Sequence, residues 1–128
     1  MTVILVLERD TLMRKLLREW LTGAGYAVRE GMGDAGHAGA IALVIVDVYM
    51  PREAGARIVR AVQRAHPAVP VIAISGHFRP GLAATSPVAH ALGADRVLAK
   101  PFSREELLAA VRALIGPPRS SVAEINVH

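Results

Sequence analysis

Five short apolar runs constrain this chain more than any other feature: residues 3–7, a weaker run at 26–29, 41–46, the VPVIAIS that ends at Ser75, and 96–99. A strand wetted on one face alternates apolar and polar side chains, whereas a strand covered on both faces is apolar nearly throughout. Runs of the second kind belong to a parallel sheet with helices on each side. The stretches between them carry helical spacing, so the fold class they predict is α/β.

The helical stretches have their own punctuation. Asp10 is placed to cap a helix with Leu12, Met13, Leu16, Leu17, Trp20 and Leu21 on one side, and Gly23 and Gly25 lie past its end. Residues 52–65 predict an amphipathic helix with Ile58, Val62 and Ala65 inward and Arg57, Arg60 and Arg64 outward. Ser86 and Pro87 open a short helix running to about Leu92, and Ser103 with Glu106 has the spacing of a capping box. That last helix turns Leu107, Leu108, Val111, Leu114 and Ile115 to the core and stops at Gly116-Pro117-Pro118. Residues 31–40 leave room for only a very short helix. One domain over 1–116 and a tail over 117–128 is the expected organisation.

Composition removes several classes. The 128 residues are 52% hydrophobic, yet no apolar run approaches the roughly 20 residues of a bilayer span, and no secretory signal opens the chain. With no cysteine there is neither a disulfide framework nor thiolate chemistry, which fits a cytoplasmic protein. A net charge of +4 invites a nucleic-acid reading, but aromatics are only 4% and no zinc spacing or RNA-binding string accompanies the charge. The expectation is no nucleic-acid partner and no membrane partner. His37, His66, His77, His90 and His128 show no paired metal spacing and read as surface residues. Gly31, Gly33 and Gly36 match a dinucleotide fingerprint but open no helix, and read as loop glycines.

Glu8, Asp47, Ser75 and Lys100 each stand at or just beyond the end of an apolar run. In an open parallel sheet, ligands bind past the carboxyl ends of the strands, where residues remote in sequence can meet. With LVIVDVYMP around Asp47, VIAIS ending in Ser75 and GADRVLAKPF containing Lys100-Pro101, residues 2–116 resemble the receiver domains of bacterial two-component response regulators. The resemblance implies a flavodoxin-like fold of strand order 2-1-3-4-5. It further implies a signalling protein rather than an enzyme, in which Asp47 takes a phosphoryl group from a phosphohistidine, Ser75 binds a phosphoryl oxygen and Lys100 neutralises another. Lys100-Pro101 would be cis. Glu8, Asp47 and the Tyr49 carbonyl would coordinate Mg²⁺. The implied partners are a histidine kinase or phosphotransfer protein and a downstream protein, with a homodimer left open. A cytoplasmic single-domain receiver in a phosphorelay is the leading expectation.

The chain departs from that pattern at Arg9, where receivers carry a metal-binding acid. A guanidinium cannot ligate a metal. Arg9 can stand in for part of the cation's charge, lock Asp47 in an ion pair and so make a phosphorylation-independent adaptor, or turn to solvent and leave a weakened Mg²⁺ site. Asp10 reads as a helix cap rather than a ligand. Val97 takes the position of the aromatic switch residue, and a β-branched aliphatic cannot make that ring's excursion. Tyr49 could shield an acyl phosphate or simply sit in a surface loop. An aspartyl phosphatase would need an acid at Tyr49 and is excluded. A small flavodoxin-like enzyme or nucleotide binder is the third class, which a bound cofactor would reveal.

Overall fold

A computed structural model of the chain describes residues 2–31, 40–49 and 53–118. Gly33, Gly36, His37 and most of the 31–40 segment lie outside the described residues, as do the tail from 119 onward and His128.

The elements run β1 (Val3–Leu7), α1 (Thr11–Gly23), β2 (Ala27–Glu30), β3 (Ile41–Asp47), α2 (Glu53–Ala65), β4 (Val71–Ser75), α3 (Pro87–Leu92), β5 (Arg96–Ala99) and α4 (Arg104–Ile115). All strand pairs are parallel and the order across the sheet is β2-β1-β3-β4-β5, the flavodoxin-like arrangement expected from the resemblance. Successive strand side chains point to opposite faces. Ile4, Val6, Leu43, Ile45, Ile72, Ile74 and Leu98 therefore pack beneath Leu17 and Leu21 of α1 and Leu107, Leu108 and Val111 of α4. The intervening Leu5, Val44, Val46, Val71, Ala73 and Val97 pack against Val59 and Val62 of α2 and Ala89 and Leu92 of α3. Two apolar layers on one sheet explain the uninterrupted runs.

Capping follows the sequence. Asp10 accepts the Met13 amide at 2.8 Å at the start of α1, and Ser103 and Glu106 close a reciprocal box on α4. Ser86 occupies the N-cap of α3 with Pro87 in the first turn, although its hydroxyl makes no capping bond.

Three details differ from expectation. Leu12 is 66% exposed, because at 3.6 residues per turn it lies roughly 140° round the helix from Leu17. Ala65, the last residue of α2, is exposed as well, and Gly55 and Val59 take the inner stripe of α2 with Val62. Strand β2 begins at Ala27, since the Tyr26 amide donates to Leu21 O at 3.0 Å and so belongs to the turn that ends α1. Among the described residues, no helix is long and apolar enough to cross a membrane.

Candidate functional site

The carboxyl edge of the sheet collects the polar strand-end residues, and strand parity decides which way each one faces. Glu8 continues the row of Ile4 and Val6, Asp47 that of Leu43 and Ile45, and Lys100 that of Leu98, all on the α1 and α4 side. Ser75 continues the row of Val71 and Ala73 on the other side. Register brings them level: Asp47 is paired with Ile74, Ser75 with Ala99, and the Lys100 amide donates to Ser75 O at 3.0 Å.

Lys100 draws the first three together. Its Nζ is 2.6 Å from Glu8 Oε1 and 3.5 Å from Asp47 Oδ2, and side-chain exposure rises from 1% at Glu8 through 10% at Asp47 to 20% at Lys100. The approach to Glu8 Oε1 is short but off the hydrogen-bond directions, so it is held by charge. At 4 Å and an effective dielectric near 20, a unit pair is worth roughly 4 kcal/mol before desolvation is subtracted. The remaining carboxylate oxygens are held by backbone. Glu8 Oε2 accepts the Asp10 amide at 3.1 Å and Asp47 Oδ1 accepts the Tyr49 amide at 2.9 Å. The Asp47–Tyr49 bond fixes a turn in which Tyr49 has φ of 54°, a left-handed conformation that a non-glycine residue adopts at a cost.

Ser75 is fully buried, and it joins the site at one remove. Its hydroxyl donates to the Tyr49 carbonyl at 2.9 Å and accepts the His77 amide at 2.9 Å. The cleft above Asp47, about 360 Å³, is walled instead by Gly76 and His77 on that side, by the acids Glu8, Asp10 and Asp47, by Arg9 and Lys100, and by Tyr49. His77 and Gly76 are lining residues that sequence reasoning missed. Their only signal was adjacency to Ser75.

Arg9 is exposed at the rim, with Cζ 5.5 Å above the Tyr49 ring. The same ring meets that of His77, with centroids 5.3 Å apart and planes at 86°. Among the described residues Arg9 has no carboxylate within 4.0 Å, and Lys100 is the cation beside Asp47. Lys100-Pro101 is cis, as the resemblance implied. Val97 is fully buried in the α2 and α3 layer.

The arrangement does not fit a divalent cation. Such an ion needs several oxygens free to converge. Here Glu8 gives one oxygen to Lys100 and one to an amide, Asp47 gives one to an amide and turns the other toward Lys100, and the Tyr49 carbonyl already accepts the Ser75 hydroxyl. No group of three or more acids, histidines or cysteines among the described residues could hold a metal. What the cleft presents is one carboxylate oxygen, Asp47 Oδ2, 3.5 Å from the Lys100 ammonium, with Arg9 elsewhere in the lining.

A family model for the response regulator receiver domain matches residues 4–112. The chain is 34% identical over 117 residues to the transcriptional regulatory protein GltR of Pseudomonas aeruginosa, an overlap of 88% of this chain and 48% of that protein. It spans about half or less of the length of the curated relatives it matches. Among solved structures it is similar to a response regulator receiver protein from Burkholderia phymatum, with a TM-score of 0.69, 26% identity, and 94% of this chain and 99% of that one covered. It also shares its fold with the receiver domain of the sensor histidine kinase PA1611 of Pseudomonas aeruginosa, with a TM-score of 0.68 at 23% identity over 90% of this chain and 98% of that one. That protein holds a magnesium ion in its active-site cleft.

Proposed function

The chain belongs to the response regulator receiver domain family, and from that membership we propose that Asp47 accepts a phosphoryl group from a phosphohistidine and that the phosphorylated module signals through contact with another protein. The donor is a histidine kinase or a histidine phosphotransfer protein. Asp47 Oδ2 attacks phosphorus as the bond from phosphorus to the donor imidazole nitrogen breaks. The electron pair returns to that nitrogen, and Asp47 is left as an acyl phosphate. Lys100 neutralises charge as it builds on the phosphoryl oxygens. The observation that carries this reading is the division of labour at Asp47: Oδ1 is tied to the Tyr49 amide at 2.9 Å, while Oδ2 stands at 3.5 Å from Lys100 at the floor of an open cleft.

The test is intact-protein mass after incubation with a small acyl phosphate, alongside Asp47→Asn. One phosphoryl addition, absent from the variant, is the expected result. No addition under any ionic condition overturns the proposal. It would then favour a second reading, an adaptor of the same fold that binds partners unphosphorylated. The 2.6 Å Glu8–Lys100 pair speaks for that alternative, because it already gives the buried carboxylate its counter-charge.

A further inference from the structure

We infer that the Asp47 cleft takes up its phosphoryl group without a divalent cation, the positive charge coming from the fixed cations Arg9 and Lys100. This rests on Asp47 being the phosphoacceptor and specifies what neutralises the group there. The oxygens that a metal would need are committed to Lys100, to two backbone amides and to the Ser75 hydroxyl, and the acids and histidines of the described residues form no metal-holding cluster.

Arg9, by contrast, is available, and Lys100, although paired with Glu8, already stands 3.5 Å from Asp47 Oδ2. Arg9 lines the same cleft as Asp47, is exposed, and has no carboxylate partner among the described residues. It rests at 5.5 Å over the Tyr49 ring, a contact weak at an exposed site and therefore readily exchanged for a stronger one. A guanidinium offers paired N–H donors that match two oxygens of a phosphoryl group. A phosphoryl group on a side chain carries about two negative charges at neutral pH; Arg9 brings it one full positive charge, and Lys100 shares the other between the group and Glu8. No atom of the transfer step requires a metal. The carboxylate oxygen forms the new bond to phosphorus, the donor's leaving atom keeps the electron pair, and Arg9 and Lys100 hold the three peripheral oxygens.

The experiment follows the initial rate of phosphoryl addition from acetyl phosphate by intact mass, in excess chelator and in Mg²⁺, for the unmodified chain, Arg9→Gln, Arg9→Lys and Arg9→Asp. Calorimetric Mg²⁺ titration and a thermal melt of each protein accompany it. The expected results are equal rates in chelator and Mg²⁺ for the unmodified chain, a loss of about tenfold or more in chelator for Arg9→Gln, and partial recovery in Arg9→Lys. The unmodified chain should show no Mg²⁺ binding heat and Arg9→Asp should acquire it. Addition that occurs only with Mg²⁺ overturns the inference while leaving Asp47 as the acceptor. An unchanged rate in folded Arg9→Gln overturns the part given to Arg9. No addition in any buffer overturns the phosphoacceptor reading itself, and this inference with it.

Discussion

Lys100 holds its ammonium 2.6 Å from Glu8 Oε1 and 3.5 Å from Asp47 Oδ2, so removing it strands a carboxylate whose side chain is 1% exposed. Breaking a fully buried pair costs about 3–5 kcal/mol, and Lys100 keeps enough contact with water to reduce that toward about 2–3 kcal/mol. Lys100→Met should lower the unfolding free energy obtained from urea titration by that amount, and Glu8→Gln in the same chain should restore most of it. If the double variant is no more stable than Lys100→Met alone, the two side chains are not coupled as described. Glu8, Asp47 and Lys100 were legible as polar residues closing apolar runs. The direction of Ser75 was legible too, had its parity with Val71 and Ala73 been followed beyond the strand end. The perch of Arg9 on Tyr49 was not, because it depends on a left-handed turn at a tyrosine, a conformation that residue type does not announce.

The turn from α1 into β2 is tied to the far end of α4, a contact between elements that no local pattern encodes. Tyr26 Oη donates to Gly116 O at 2.8 Å from a ring that is almost wholly buried. Gly25, at φ of +100°, lies so close to Pro118 that a Cβ there would sit 2.9 Å from its Cγ. Burial raises the Tyr26 pKa above its ordinary 10.0, with the Arg112 charge and hydrogen bond pulling it partly back. The native state thus holds this proton at a pH where the unfolded chain releases it. The stabilisation is complete below pH 10.0 and is lost as pH rises beyond it. Tyr26→Phe should cost about 1 kcal/mol at neutral pH, and its deficit should shrink on going to alkaline pH. A deficit that is constant across denaturant titrations on both sides of that range would contradict the assignment. Helix caps, by comparison, were readable at Asp10 and Ser103 because the side chain and the amide it accepts are only three residues apart.

Taken as one body, the molecule is a sheet with two apolar layers whose carboxyl edge gathers chemistry from four strands. Class and core followed from runs that only a doubly covered sheet needs, whereas the strand order followed from the resemblance carried by the motifs around Asp47, Ser75 and Lys100. The balance of charge at the edge did not, since the same strand-end residues can serve a metal or one another, and distances decide between those uses. Val97, sealed in the α2 and α3 layer, also keeps any outward signal from travelling by an aromatic ring at that position.

Amide NMR of the labelled chain before and after acetyl phosphate reads the proposed phosphoryl-binding cleft around Asp47 as a whole, because its lining comes from the ends of β1, β3, β4 and β5. Concerted shifts at Arg9, Tyr49, His77 and Lys100, all absent in Asp47→Asn, are the expected result. Shifts confined to the neighbours of Asp47, or equal in the variant, would contradict it.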